Sequence, residues 1–292
     1  MKPQLSVVVP TLDEAMVVPA LIRALRSQQA IELELIIADA SPDETTAQAC
    51  RSLGARVLRT PRGRGRQMNA GAAASHADSL LFLHADSRPT HPRQLRRALD
   101  CLNAGIAAVG DTRVAGHFPL RFLRSRSGYG RLFRFIEAKS ASNRPGTVNG
   151  DQGLLIRRDY FEALGGFDTH LPYLEDQRIA AHIFAQGRWL LLPDALGTSA
   201  RRFEAGGHYR VYALMALIQV MNEAGVDGFF EPAAGLYAAQ SELQRIELRS
   251  YLRAAAEAIA SHPRRLELAR RIARSLGGNA WQINLLMSVL RP

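Results

Sequence analysis

Cysteine, lysine and long apolar runs are what this sequence has least of. Two cysteines in 292 residues, Cys50 and Cys101, cannot build a disulfide framework and read as reduced core thiols of a cytosolic protein. No apolar stretch approaches the roughly 20 residues that cross a bilayer. The longest, Val211 to Met221, is interrupted by Gln219. The opening run Leu5–Val9 is too short for the apolar region of a signal peptide. These absences argue against a disulfide-stapled or membrane-spanning protein. The expectation is a soluble chain, cytoplasmic or resting peripherally on the inner membrane. Lysine occurs only as Lys2 and Lys139, so a formal charge of +10 is carried by arginine. Nucleic acid, an anionic membrane face and phosphorylated substrates all suit such a charge. No zinc, RRM or KH signature is present and the arginines are not interleaved with aromatics, so nucleic acid is not the expected partner.

What is there is a globular composition, 47% hydrophobic, with strands and helices in alternation. Leu5–Val9 is a β-branched run of the kind buried on both faces of a sheet, and Pro10 ends it. Thr11–Glu14 is placed to cap a helix over Met16 to Gln28. Leu33–Ala38, Ala55–Leu58 and Ser79–Leu83 read as further strands, with a helix from Glu44 to Leu53 and a basic, glycine-punctuated loop and helix from Arg62 to Ala74. Residues 110–149 show no clear period. Leu154–Ile156 and Trp189–Leu192 are strands, and a helix after Pro172 carries Glu175 and Asp176. From about Val211 the chain reads as helices, broken near Gly225–Gly228, Pro263 and Gly277-Gly278.

This alternation predicts an α/β fold with a mixed, mainly parallel sheet flanked by helices, whose ligands bind beyond the carboxyl ends of the strands. Three polar clusters fall at such ends: Thr11–Glu14, Asp39–Asp43 and His84–Asp86. Each alone is an ordinary helix cap or surface loop. Together they locate a site. A dehydrogenase would need a glycine-rich turn after the first strand, and Pro10-Thr11-Leu12-Asp13-Glu14 contains no glycine.

Val7–Glu14, Ile36–Thr45, Gly63-Arg64-Gly65-Arg66-Gln67-Met68-Asn69-Ala70-Gly71, Leu81–Asp86, Gly150-Asp151-Gln152-Gly153, Gly165-Gly166-Phe167 and Glu175-Asp176 follow one another in an order that resembles glycosyltransferase family 2, of GT-A fold. With Thr198–Arg202, the set is most similar to a bacterial subgroup of that family. The resemblance implies a nucleotide-diphosphate sugar donor contacted by Pro10, Thr11 and Glu14. It also implies a nucleobase contact from Asp39, although the usual preceding aspartate is Ala38 here. Arg64, Arg66 and Asn69 would stand beside the donor, where glycines permit close backbone approach and arginines meet a diphosphate. Asp86 falls on the metal motif and implies a divalent cofactor, Mn²⁺ or Mg²⁺. His84 occupies that motif's first acidic position, as a supporting group or as a softer ligand favouring Mn²⁺. His208 falls near a late metal-binding histidine of many GT-A enzymes. Asp176 matches the family's general base, with Glu175 as the alternative.

The implied activity is inverting transfer, of a hexosyl unit, to an unspecified hydroxyl acceptor, a lipid-linked one among the options. A sugar-binding pseudoenzyme is the alternative, because His84 alters the metal motif. The expected division is a catalytic domain over 1–230 and a helical C-terminal extension over 231–292. In the extension Leu243, Ile246, Leu252 and Ile259, then Leu266, Ile272 and Leu276, recur at helical spacing among arginines. Such helices pack on the catalytic domain or a second copy, or present a basic amphipathic surface to an anionic membrane.

Overall fold

The computed structural model describes residues 2–170, 173–240 and 246–290; Pro172 and Leu243, used above as sequence markers, lie outside them. The strands are β1 (Leu5–Thr11), β2 (Leu33–Asp39), β3 (Arg56–Arg59), β4 (Ser79–Phe82), β5 (Arg88–Pro89), β6 (Val114–His117), β7 (Leu120–Leu123), β8 (Leu154–Arg157), β9 (Arg188–Leu191) and β10 (Leu196–Ser199). The helices are α1 (Val18–Arg26), α2 (Thr45–Arg51), α3 (Arg64–Ala73), α4 (Gln94–Val109), α5 (Gly130–Ser140), α6 (Arg158–Ala163) and α7 (Glu175–Gln186), then α8 (Arg201–Gly206), α9 (His208–Ala224), α10 (Phe230–Gln240), α11 (Leu248–Ser261), α12 (Arg265–Gly278) and α13 (Trp281–Leu290). Two compact units result: Met1–Leu123 with Ser140–Thr198, and Arg124–Lys139 with Ser199–Pro292. The division expected at residue 230 falls inside the second.

In the first unit seven strands pair in the order β3-β2-β1-β4-β8-β6-β9. β1 runs parallel to β2 and β4, β2 to β3, and β6 to β9; β8 is antiparallel to both its neighbours. Side chains alternate along each strand, and both sheet faces are buried. Leu5, Val7 and Val9 join Leu81 and Leu155 in one core with α1 and α4. Val8, Leu80, Phe82 and Ile156 join the other, with α3, α6 and α7. A three-layer α/β/α sandwich follows, the mixed and mainly parallel sheet expected. The smaller sheet, β5-β10-β7, was not legible in the sequence.

α1 begins later than expected and Thr11–Glu14 does not cap it through a side chain. Its N-cap is Val17, and the Val17 and Val18 amides donate to the Glu14 carbonyl. The turn is committed to β2 instead: the Asp13 amide donates to Ser41 Oγ at 2.9 Å, with Asp13 in the left-handed region at φ 55°. Cys50 is a buried thiol and Cys101 a half-buried one packed against the core, and burial pushes the Cys50 thiol up to about 11.

In the second unit α9 is tied to the last helices. Ser275 Oγ and Asn279 Nδ2 donate to Glu223 at 2.6 and 3.2 Å, and the Tyr212 hydroxyl donates to Gln282 at 3.3 Å. Lys139 lies over the Tyr212 ring, and burial, opposed by the charge of Glu223, pushes it down to about 8. Among the described residues no helix is long and apolar enough to cross a membrane.

Candidate active site at the carboxyl edge of the sheet

Parallel β1, β2 and β4 bring Thr11, Asp39 and the His84–Asp86 segment to one edge of the sheet. Antiparallel β8 pairs Leu154 with Phe82, so the residues before β8 reach the same edge. A tight 3-10 turn, Gly150–Gln152, lies there, closed by Gly153 at φ 68°. Gly150 is what permits the next juxtaposition. A Cβ on it would lie 2.7 Å from His84 Nε2 and 3.0 Å from Asp176 Oδ2. The imidazole and the carboxylate therefore face one another across a missing side chain. The Gly150 amide donates to Asp176 Oδ2 at 2.6 Å and the Gln177 amide to Oδ1 at 2.8 Å, which fixes the carboxylate plane. Behind this pair lies a small apolar cavity lined by Met68, Phe82, Phe167, Ile179 and Trp189.

Glu175 and Asp176 open α7 directly after Leu174, a buried leucine at φ 78°. That conformation costs a β-carbon-bearing residue about 1–2 kcal/mol and survives where the surroundings impose it. Asp168 and Arg178 form an ion pair that ties the segment entering α7 to the helix itself. The backbone amide of His170, and then Arg178, hold the Asp168 carboxyl well below the usual range. The two neighbouring acids differ sharply. Glu175 is 3% exposed and its Oε1 lies 3.2 Å from Arg64 Nη1. Burial first, and then the charge of Asp176, push its carboxyl upward, with Arg64 opposing. Asp176 is half-buried and reaches the cavity.

α3 is stapled to the same edge by side chains that were given no separate role above. Buried Gln67 donates from Nε2 to the carbonyls of Thr11 and Ala38, both at 2.8 Å, so one amide clamps the ends of β1 and β2. A Cβ at Gly71 would overlap Val8 Cγ1, and at Gly65 one would come within 2.8 Å of the Asp168 carbonyl. Hence α3 packs against β1 only with glycine at 71, and against the segment that enters α7 only with glycine at 65. Its first turn leaves Arg64 and Arg66 exposed beside backbone N–H groups that no helical carbonyl satisfies, an arrangement suited to a phosphate.

The chain's residues 6–165 match the model of Glycosyl transferase family 2. The chain belongs to this family. A Haemophilus influenzae protein named "Uncharacterized glycosyltransferase" is 27% identical over 181 residues, which are 59% of each chain, so this chain spans well under two thirds of that relative's length. Among solved structures, the mannosyltransferase PcManGT from Pyrobaculum calidifontis in complex with GDP-Man and Mn²⁺ has a TM-score of 0.54 at 20% identity, covering 99% of this chain and 86% of that one. S. aureus TarS 1–349 in complex with UDP-GlcNAc has a TM-score of 0.53 at 17% identity, covering 99% and 90%. At such identities the likeness is one of fold, and the fold is GT-A.

Within this family 2 chain the expected site residues fall into distinct environments. Pro10 and Thr11 end β1 and Glu14 lies in the following turn. Asp39 has no exposed surface: Oδ1 accepts from Thr11 Oγ1 at 2.9 Å and Ser41 Oγ at 2.7 Å, and Oδ2 pairs with Arg59. The polar ring Thr11–Asp39–Ser41–Arg59 shapes the turn around it, and the sequence held no signal that Arg59 would close it. Asp86 is half-buried in the turn beyond β4, and its carboxylate makes no hydrogen bond or ion pair among the described residues. Among the described residues no three His, Cys, Asp or Glu side chains converge as a ready metal cage. Mg²⁺ and Mn²⁺ need no such cage, since one or two carboxylates plus substrate phosphates suffice, and Asp86 fits that demand. His208 belongs to the second unit, where its ring stacks on Tyr129 at 3.8 Å.

Asn69 is engaged with the protein itself. Its Nδ2 donates to the Phe167 carbonyl at 2.8 Å and its Oδ1 accepts from the Phe167 amide at 2.9 Å. Asn69→Ala is expected to lower stability by about 1–3 kcal/mol, because the Phe167 peptide loses both partners. Denaturant melts check this. An unchanged midpoint with weakened donor affinity would instead make Asn69 a donor contact.

Proposed function

We propose that this chain transfers a sugar, of hexosyl type, from a nucleoside diphosphate to a hydroxyl acceptor with inversion at the anomeric carbon. The observation that supports it most is Asp176, a half-buried carboxylate held by two backbone amides and brought against His84 at the edge where Asp86 stands unengaged. Asp176 takes the acceptor's hydroxyl proton as that oxygen bonds to the anomeric carbon. The bond from that carbon to the diphosphate breaks, and its electron pair leaves with the diphosphate. No covalent enzyme intermediate is required. Arg64 and Arg66, at the first turn of α3, meet the phosphates. Asp86, with the donor's own phosphate oxygens, would hold Mn²⁺ or Mg²⁺, whose charge stabilises the leaving diphosphate when bound. Burial and the bond to Arg64 suit Glu175 to fixing that arginine and the start of α7, leaving the base role to Asp176. GDP-Man and UDP-GlcNAc, bound by proteins of the same fold, set the donor classes to try first. Residues 1–230 would carry this machinery, with 231–292 serving acceptor access or attachment.

A thermal-shift screen of nucleoside diphosphates and their sugars, with and without Mn²⁺, tests the reading. Saturating one of them with metal present should raise the melting temperature. A ligand at a hundred times its dissociation constant stabilises by about 2.7 kcal/mol. Release of that nucleoside diphosphate on adding acceptor then separates transfer from binding alone. If no nucleotide shifts the melt under either condition, the donor assignment is wrong.

A further inference from the structure

The last two helices of the second unit turn apolar side chains outward. On α13, Ile283, Leu286 and Met287 recur at helical i, i+3, i+4 spacing, and Ile283 is 64% and Met287 55% exposed. The helix is held by another side: Gln282 accepts from Tyr212 at 3.3 Å and donates to Asn279 at 2.7 Å. On α12, Leu266 is 81% exposed and Leu276 is exposed too. Arg270, four residues on, shares the face of Leu266.

Charge is distributed with equal asymmetry. Residues 264–290 contain five arginines and one carboxylate, Glu267. Glu267 is taken by Arg271 and, at 3.6 Å, by Arg264. Arg265, Arg270 and Arg274 are exposed and have no carboxylate partner among the described residues.

We infer that the outward faces of α12 and α13 dock on an anionic lipid bilayer. Ile283, Leu286 and Met287 enter the boundary between headgroups and acyl chains, and Arg265, Arg270 and Arg274 meet lipid phosphates. Neither signal suffices alone, but one apolar element plus a basic cluster is the combination that gives stable peripheral attachment. A second copy of the chain fits worse. A twofold contact would set this basic surface, with Arg265, Arg270 and Arg274 of each copy, against itself. This docking is independent of the transfer reaction.

Flotation of the full chain with vesicles tests it, comparing phosphatidylcholine alone with equal parts phosphatidylcholine and phosphatidylglycerol. The chain should float with the mixed vesicles at low salt and remain below with neutral ones. Each arginine near such a surface is worth about fivefold in binding. Arg265→Gln/Arg270→Gln/Arg274→Gln together should therefore weaken partition about a hundredfold. Ile283→Asp/Met287→Asp should weaken it at least about tenfold. Both sets lie on exposed positions, so unchanged melting temperatures are expected and are to be verified. The inference is overturned if the wild type ignores the mixed vesicles, or if folded variants float as it does. It is also overturned if light scattering finds a dimer that Ile283→Asp/Met287→Asp splits, which would make this face a contact between copies.

Discussion

Asp176→Asn is expected to slow glycosyl transfer by about a hundredfold or more while the donor's dissociation constant stays nearly unchanged. Asparagine keeps the shape of the side chain and removes its basicity. The two amides that hold Asp176, from Gly150 at 2.6 Å and Gln177 at 2.8 Å, complicate the substitution. An amide side chain has one oxygen, so one backbone N–H will confront an NH₂ group, at a cost of about 1–3 kcal/mol in stability. Melting and donor titration must therefore accompany the rate measurement. Glu175→Gln is the matching control. It removes the charge facing Arg64 and should disturb folding or donor affinity more than the chemical step. The pH dependence of stability gives a further distinction. The Glu175 carboxyl is held above its ordinary range, so its contribution is full at low pH and is lost as pH rises through the raised value. Removing the Asp176 charge lowers that value and shifts the loss to lower pH. If Asp176→Asn transfers at the wild-type rate and Glu175→Gln does not, the two roles are exchanged; if both remain active, the base lies elsewhere.

The residue types of this site were legible in the sequence, and their juxtapositions were not. β1, β2 and β4 each carry an apolar run, Val7–Val9, Leu35–Ala38 and Leu80–Phe82, and a carboxylate at or just past the end of a parallel strand points to the ligand-binding edge. β6 carries no such signal. Val114–His117 has a glycine and a buried histidine in four residues, and Gly116 is required because Leu192, some seventy positions later, fills the space a Cβ would take. α4 could have been read, since Leu95, Ala98, Leu99 and Leu102 follow a helical period. The meeting of His84 and Asp176 is a product of topology: β8 reverses direction beside β4 and delivers a residue without a side chain to the space between them. Gln67 and Asn69 sit within a motif that resemblance assigns to the donor, yet their amides bond the backbone of β1, β2 and Phe167. A motif residue can serve packing as readily as ligand contact, and its hydrogen-bond partners here are backbone groups of the protein.

Asp86→Ala is expected to abolish metal-dependent donor binding and leave the fold intact. Both halves of that expectation follow from the surroundings of Asp86. Its carboxylate has no hydrogen bond or ion pair among the described residues, so its removal orphans no partner and should move the melting temperature of the unliganded chain very little. Neighbouring Ala85 and Ser87 are buried, and the Ser87 amide donates to the His84 carbonyl at 3.1 Å, so the turn closes without it. For the donor the loss is large. A nucleoside diphosphate carries concentrated negative charge, and a cation shared between its phosphates and a single protein carboxylate loses its one anchor on the protein. Isothermal titration of a nucleoside diphosphate, with and without Mn²⁺, reads the difference directly. The wild type should bind more tightly with metal, and the variant should bind equally weakly in both conditions, at a level set by Arg64 and Arg66. His84→Ala separates the remaining possibilities for the other end of this motif. Facing Asp176 across Gly150, His84 should affect the rate and pH profile of transfer while metal-dependent affinity persists. Metal dependence surviving in Asp86→Ala but lost in His84→Ala would move the metal to the histidine, and its survival in both would move it away from β4.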